Sequence, residues 1–148
     1  MTVPALAAHD APTLAVDRLD VYRAALDFAA LASRVRVTPA SLRDQIERAS
    51  ASVVLNLAEG VGRTSVADQA HFFAIARGSA LECAAVLDLL HARGNLGPAT
   101  HREGRALLVR IVQMLSRLIE RRGARATPRV VSLPAHDRAL TGGSDPAA

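Results

Sequence analysis

The sequence has 148 residues, enough for one domain built around one core. Half of it is hydrophobic and only 3% aromatic, which excludes overall disorder and leaves Ala, Leu and Val to fill the interior. The formal charge is +4 with arginine as the only strong base, and the single cysteine, Cys83, excludes an intramolecular disulfide and argues against a cysteine-based zinc site.

Residues 1–15 are Ala/Pro-rich and aperiodic, and read as a flexible leader without the basic start of a secretory signal. A first helix is expected over residues 17–36, with Leu19, Tyr22, Leu26, Ala29 and Ala32 at helical spacing. Thr38 and Pro39 then suit the N-cap and N1 positions of a second helix. That helix should run over residues 39–58 on a stripe of Leu42, Ile46, Ala49, Val53 and Leu57, with Gly60 and Gly62 breaking or bending the chain after it. Ser65, with Asp68 three residues on, is a capping signal for a long third helix over residues 65–93. Its expected inner face carries Phe72, Ile75, Ala76, Ser79, Cys83, Val86, Leu87 and Leu90, and Gly94 suits its C-terminus.

Pro98 opens a fourth helix expected to end near Arg122, before Gly123, with Leu107, Leu108, Ile111, Val112, Leu115, Leu118 and Ile119 as its stripe. Residues 124–148 show no sustained period and read as a disordered tail. The expected organisation is therefore a leader over 1–15, a bundle over 16–123 and a tail over 124–148. Four amphipathic segments with short connections predict an all-α, up-down antiparallel four-helix bundle. No run reaches the length of apolar chain a membrane helix needs, so a cytoplasmic protein is expected.

Charge concentrates at one end of the chain. Between Pro98 and Arg129 lie eight arginines against Glu103 and Glu120. Arg110, Arg117 and Arg121 are spaced 7 and 4, which at about 100° per residue sets them on one narrow stripe beside the apolar face. Two readings fit: a ridge that contacts phosphates, with Arg102, Arg105 and Arg122 adding to its field, or an ordinary solvated face whose arginines favour a helix C-terminus.

Asp88 and His91 have the i, i+3 spacing of half a di-metal carboxylate site, but no second pair exists, so no metal and no other cofactor is expected. Cys83 falls on an apolar stripe, where a thiol behaves as a small hydrophobe, so no catalytic nucleophile and no enzymatic activity are expected. Glu59, Arg63 and Arg77 flank the turn between the second and third helices. An antiparallel hairpin could gather some of them as a structural ion pair.

The stretch from Gln45 to Arg63, with Arg48, Ala49, Ser52, Asn56, Ala58, Glu59 and Gly60, and the stretch from Phe72 to Glu82, with Ala76, Arg77, Gly78 and Ser79, together resemble the "four helix bundle protein" family. That family includes proteins encoded in intervening sequences of bacterial 23S rRNA genes and the accessory variability determinant of diversity-generating retroelements. The opening Leu19-Asp-Val-Tyr22-Arg-Ala fits its first helix, and the likeness spans about residues 19–121. Three departures stand out: Glu47 where the family has a basic residue, no aromatic-rich loop between the first two helices, and an extended tail.

The resemblance implies a four-helix bundle that assembles into a homo-oligomeric ring, a pentamer by analogy. It also implies RNA or DNA as a partner and, as in the retroelement member, a reverse transcriptase. In that frame Asn56, Glu59, Gly60, Arg63, Arg77, Gly78, Ser79 and Glu82 are structural, and the arginines of the last helix bind nucleic acid. A protein–protein scaffold without any nucleic-acid role is the competing reading, supported by the scarcity of aromatics on which single-stranded bases could stack.

Overall fold

The structure is a computed structural model, and it describes residues 13–36 and 38–126. The leader and tail expected at the two ends therefore fall largely outside the described residues. A short 3-10 helix, η1 (Ala15–Arg18), precedes α1 (Asp20–Arg34), α2 (Ala40–Gly62), α3 (Val66–Ala92) and α4 (Pro98–Ala126). The helices pack around a square in which α1 touches α2 and α4, and α3 touches α2 and α4, leaving α1 opposite α3. This is the up-down four-helix bundle that the apolar stripes predict.

Local chemistry explains the boundaries, and several differ from expectation. The first helix does not start at Asp17. Leu19 adopts an extended conformation that separates η1 from α1, while the Asp17 carboxylate accepts from the Leu14 amide at 2.7 Å. Pro39 sits extended at the N-cap position of α2, after a cis Thr38–Pro39 bond, with no side-chain cap. The Ser65 expectation holds: its hydroxyl accepts from the Asp68 amide at 3.3 Å, satisfying one of the free donors of the first turn of α3. Gly94 takes φ +73° just past α3, where its amide bonds the His91 carbonyl at 3.0 Å and the Asn95 amide bonds that of Leu90 at 2.9 Å. That paired pattern closes the helix and favours glycine at the left-handed position.

The two glycines after Ala58 do not break α2, which continues to Gly62. Gly60 is buried, and a Cβ there would lie 2.6 Å from Cε1 of Phe73. The glycine is therefore a close-packing position, giving the Phe73 ring room against the α2 backbone. α4 likewise passes through Gly123 and is described as far as Ala126.

The α2 stripe is as expected, with Ile46, Ala49, Val53 and Leu57 fully enclosed. Leu108, Ile111 and Leu115 form the buried line of α4. The α1 and α3 stripes are shifted. Phe28 and Val21 are buried whereas Leu26 faces out, and Phe73 rather than Phe72 enters the core while Ile75 is 39% exposed. α3 is apolar on every side, so periodicity alone cannot place its inward face, whereas α1 has one clear apolar face, with Val21, Ala24, Phe28 and Leu31, and the expected stripe is rotated off it.

Candidate nucleic-acid interface

α4 carries Arg110, Arg117 and Arg121 on the side turned toward α1, with Met114 between them. α1 brings Asp27, Ala30 and Arg34 to the same seam, one helical stripe at spacings of 3 and 4. Between the two helices runs a series of open depressions. One of about 530 Å³ is lined by Asp27, Ala30, Arg34, Glu103, Ala106, Leu107 and Arg110. A second, of about 340 Å³, shares Arg34 and Glu103 with it and reaches Arg36 and Thr100. A third, of about 220 Å³, lies toward the other end and is lined by Arg18, Leu19, Asp20, Val21, Met114, Arg117, Leu118 and Arg121. The α1–α4 seam is thus a groove with arginines along both sides and aliphatic carbon at its floor.

The charge state of the groove follows from who is paired. Arg23, Arg43, Arg48, Arg63 and Arg105 each have a carboxylate within 4 Å. Among the described residues, Arg18, Arg34, Arg36, Arg110, Arg117 and Arg121 have none. Exposed, uncompensated guanidiniums repel one another, and their field is strongest in a cleft with apolar walls. Asp27 and Glu103 also line the groove without an ion pair, while Asp20 is held by Arg23 at 3.9 Å.

The six arginines singled out from sequence do not stay together. Arg110, Arg117 and Arg121 collect in the groove. Arg105 sits on the opposite flank, its Nε 3.5 Å from Asp88, and lines a small apolar depression with Leu81, Leu108 and Val109 between α3 and α4. Arg102 is exposed and lines none of these depressions, and Arg122 is half-buried with its Nε enclosed and unbonded. Sequence reasoning missed Arg18, Arg34 and Arg36. Summing charge by segment hid them, because acids elsewhere in the first half of the chain cancel them. The stripe at residues 27, 30 and 34 signals Arg34 alone, and no sequence spacing joins Arg18 and Arg36 to it.

The family-motif residues lie elsewhere, as rungs between α2 and α3. Gln45 Nε2 donates to Glu82 at 3.1 Å, with Arg48 4.0 Å from the same carboxylate. The hydroxyls of Ser52 and Ser79 bond at 2.8 Å, and Asn56 Nδ2 donates to the Ser52 carbonyl at 2.8 Å and to its hydroxyl at 3.1 Å. Glu59 pairs with Arg63, whose guanidinium lies 4.7 Å over the Phe72 ring. Arg77 does not join them: its Nη1 donates instead to Ser116 Oγ of α4 at 3.3 Å. Gly78 faces open space.

Asp88 does not meet His91. It accepts from Nε2 of His101 at 2.8 Å, and the two imidazoles stack 4.3 Å apart, with His91 Nδ1 donating to the Leu96 carbonyl at 3.0 Å. Among the described residues, no group of three His, Cys, Asp or Glu side chains is placed to hold a metal ion. The Cys83 thiol is enclosed, and burial first, then the Glu82 charge, pushes its pKa up to about 12. Among the described residues, no helix is long and apolar enough to cross a membrane.

Fold and groove together define a helical bundle with a basic interhelical surface. The family model of the 23S rRNA-intervening sequence protein matches residues 17–117, and the chain belongs to that family. No curated protein matches. Among solved structures, the chain is similar to a protein of unknown function from the S23 ribosomal protein family of Bacteroides thetaiotaomicron. The identity is 23% and the TM-score 0.63, over 68% of this chain and 98% of that one. That likeness bears on the fold.

Proposed function

We propose that the protein is a non-enzymatic nucleic-acid-binding member of its family, acting in the cytoplasm and gripping the phosphate backbone through the α1–α4 groove. The supporting observation is that six arginines without a carboxylate partner line three depressions placed along the α1–α4 seam. Guanidiniums bind phosphate oxygens with paired N–H donors, and release of condensed counterions drives the association largely without regard to sequence. Filter binding of purified protein to RNA and DNA at about 50 and 200 mM salt tests this. Affinity should fall steeply with salt, and Arg110→Glu, Arg117→Glu and Arg121→Glu together should abolish binding with helicity intact. Binding that is absent, or indifferent to salt, overturns the proposal.

A second reading, self-association into a ring, draws on a different surface. The outer side of α2 presents Ala51, Leu55, Ala58 and Gly62 at spacings of 4, 3 and 4, and that of α3 presents Ala74, Gly78, Leu81 and Ala85 with the same spacing. Leu55 is 67% and Leu81 53% exposed, and nothing fills the space beside Gly78. Two such stripes on different helices suit a head-to-tail contact between copies, which closes into a ring when the rotation allows. Five copies is the number the family resemblance suggests, and a reverse transcriptase is the protein partner it suggests for such a ring. Native mass spectrometry of the wild type and of Leu81→Asp decides the first point: a monomer in both ends this reading. Co-purification before and after nuclease treatment separates a protein scaffold from an assembly bridged by nucleic acid.

A further inference from the structure

We propose that the ligand of the groove is an unpaired polynucleotide strand, held between two banks, with Arg34 across from Arg110, Arg18 across from Arg117 and Arg121, and Arg36 at the end beside Thr100 and Glu103. The inference rests on the nucleic-acid reading above and names which form of nucleic acid fits. Three features of the groove separate a single strand from a duplex.

The first is the pair of banks. A strand lying along the seam offers its phosphates to arginines on either side, whereas a duplex resting on the α4 ridge can leave the α1 arginines idle. The second is the floor. Leu19, Leu107, Met114 and Leu118 are all half-buried and line the seam below the guanidiniums. A duplex keeps its base faces stacked inside and would leave this carbon against water. Splayed bases can lie on it, and on the planar guanidiniums themselves, which replaces the aromatic platform the chain lacks.

The third feature is the carboxylates. Asp27 and Glu103 line the groove with Arg34 and Arg110 but pair with neither within 4 Å. Toward a phosphate ridge they are repulsive and unexplained. Toward an exposed base edge they are acceptors for an exocyclic amino group, as on cytosine N4. Phosphate-binding cations and amino-accepting anions set side by side in one lining suit a strand that presents both its phosphates and its base edges. From Glu103 to Arg121 the α4 bank runs about 27 Å at the helical rise, which is room for roughly eight phosphates at the spacing of a stacked strand.

The test uses the full chain and fluorescence anisotropy at neutral pH with probes of roughly 12 nucleotides: an RNA strand, the same strand as DNA, the RNA duplex, oligocytidylate, and oligouridylate. The wild type should bind either strand at least about tenfold tighter than the duplex, and oligocytidylate several-fold tighter than oligouridylate. Arg18→Gln, Arg34→Gln and Arg36→Gln together should weaken strand binding at least about tenfold and flatten the salt slope by about 0.7 per lost contact. Asp27→Asn with Glu103→Gln should leave oligouridylate binding equal or tighter and erase the cytidine preference. This variant keeps shape and removes only charge. A wild type that prefers duplex, or α1-bank variants that bind the strand normally while the α4 triple variant does not, overturns the single-strand track and leaves the nucleic-acid reading standing. A wild type that binds none of the probes removes both. A difference between the RNA and DNA strands assigns the source, and equal binding assigns recognition to phosphate and base alone.

Discussion

At single positions, the consequences of packing are the most direct to measure. A methyl group on Gly60 would have to displace the Phe73 ring, which is itself enclosed. Overpacking of this kind costs about 1–3 kcal/mol, set against the fraction that alanine recovers from its better helix propensity. Gly60→Ala is therefore expected to lower stability by about 1–2 kcal/mol in urea unfolding. Gly60→Ala with Phe73→Leu should recover part of the loss, because the shorter side chain vacates the contested space. Cys83 gives a second measurement. Its pKa is raised in the folded state, so the proton is held more tightly there than in the unfolded chain. The linkage therefore leaves stability untouched below about pH 9 and erodes it as pH rises toward about 12. In urea unfolding, the stability of the wild type relative to Cys83→Ala should hold constant up to about pH 9 and fall between about pH 9 and about pH 11, because only the wild type carries the thiol. The native thiol should react with disulfide reagents only at the rate of unfolding.

At the level of helices, the start of α3 is capped by the Ser65 hydroxyl. Ser65→Ala removes the acceptor for the Asp68 amide and should cost about 1 kcal/mol, read as a lower thermal midpoint with the helical spectrum unchanged. This cap was legible because Ser65 and Asp68 stand at the right spacing before an apolar run, and Gly94 was legible for a similar local reason. The number and order of helices were also plain, since each apolar stripe outlasts any competing pattern. The failures have physical causes as well. Gly60 reads as a breaker when only backbone freedom is considered, and its actual role depends on a ring thirteen residues away. Phe73 takes the place expected for Phe72 because α3 is apolar all round and its neighbours choose the inner face, whereas Phe28 lies on the single apolar face of α1, off the stripe expected from Leu19, Tyr22 and Leu26. Arg110, Arg117 and Arg121 could be grouped by spacing within one helix. Arg18, Arg34 and Arg36 could not, because a groove belongs to two helices and only their pairing brings both sides together.

For the whole molecule, the groove sets binding against stability. Unpaired arginines in a cleft are useful to a polyanion and unfavourable to the protein alone. Arg117 and Arg121 stand four residues apart on α4, and like charges at that spacing cost about 0.2–0.5 kcal/mol. Arg121→Gln should accordingly raise the melting temperature slightly at low ionic strength, with the gain vanishing in high salt where the repulsion is already screened. The same substitution should weaken polynucleotide binding. A stabilising change that impairs function in this way would mark the position as one kept for its ligand. The paired arginines, such as Arg63 against Glu59 and Phe72, should show no such gain when neutralised.

One small bond shapes how the molecule loosens. Asn95 Nδ2 donates to the Thr38 carbonyl at 2.7 Å, which fastens the loop after α1 to the loop after α3. Both loops lie at the same pole, so that pole is laced shut. The opposite pole gathers the α2–α3 turn, where Gln69 Nε2 donates to the Arg63 carbonyl at 2.6 Å, and η1, where Arg23 Nη2 donates to that of Asp17 at 3.1 Å. Cutting the single Asn95–Thr38 link in Asn95→Ala should therefore speed amide exchange in the two connections together, since each is steadied by the other.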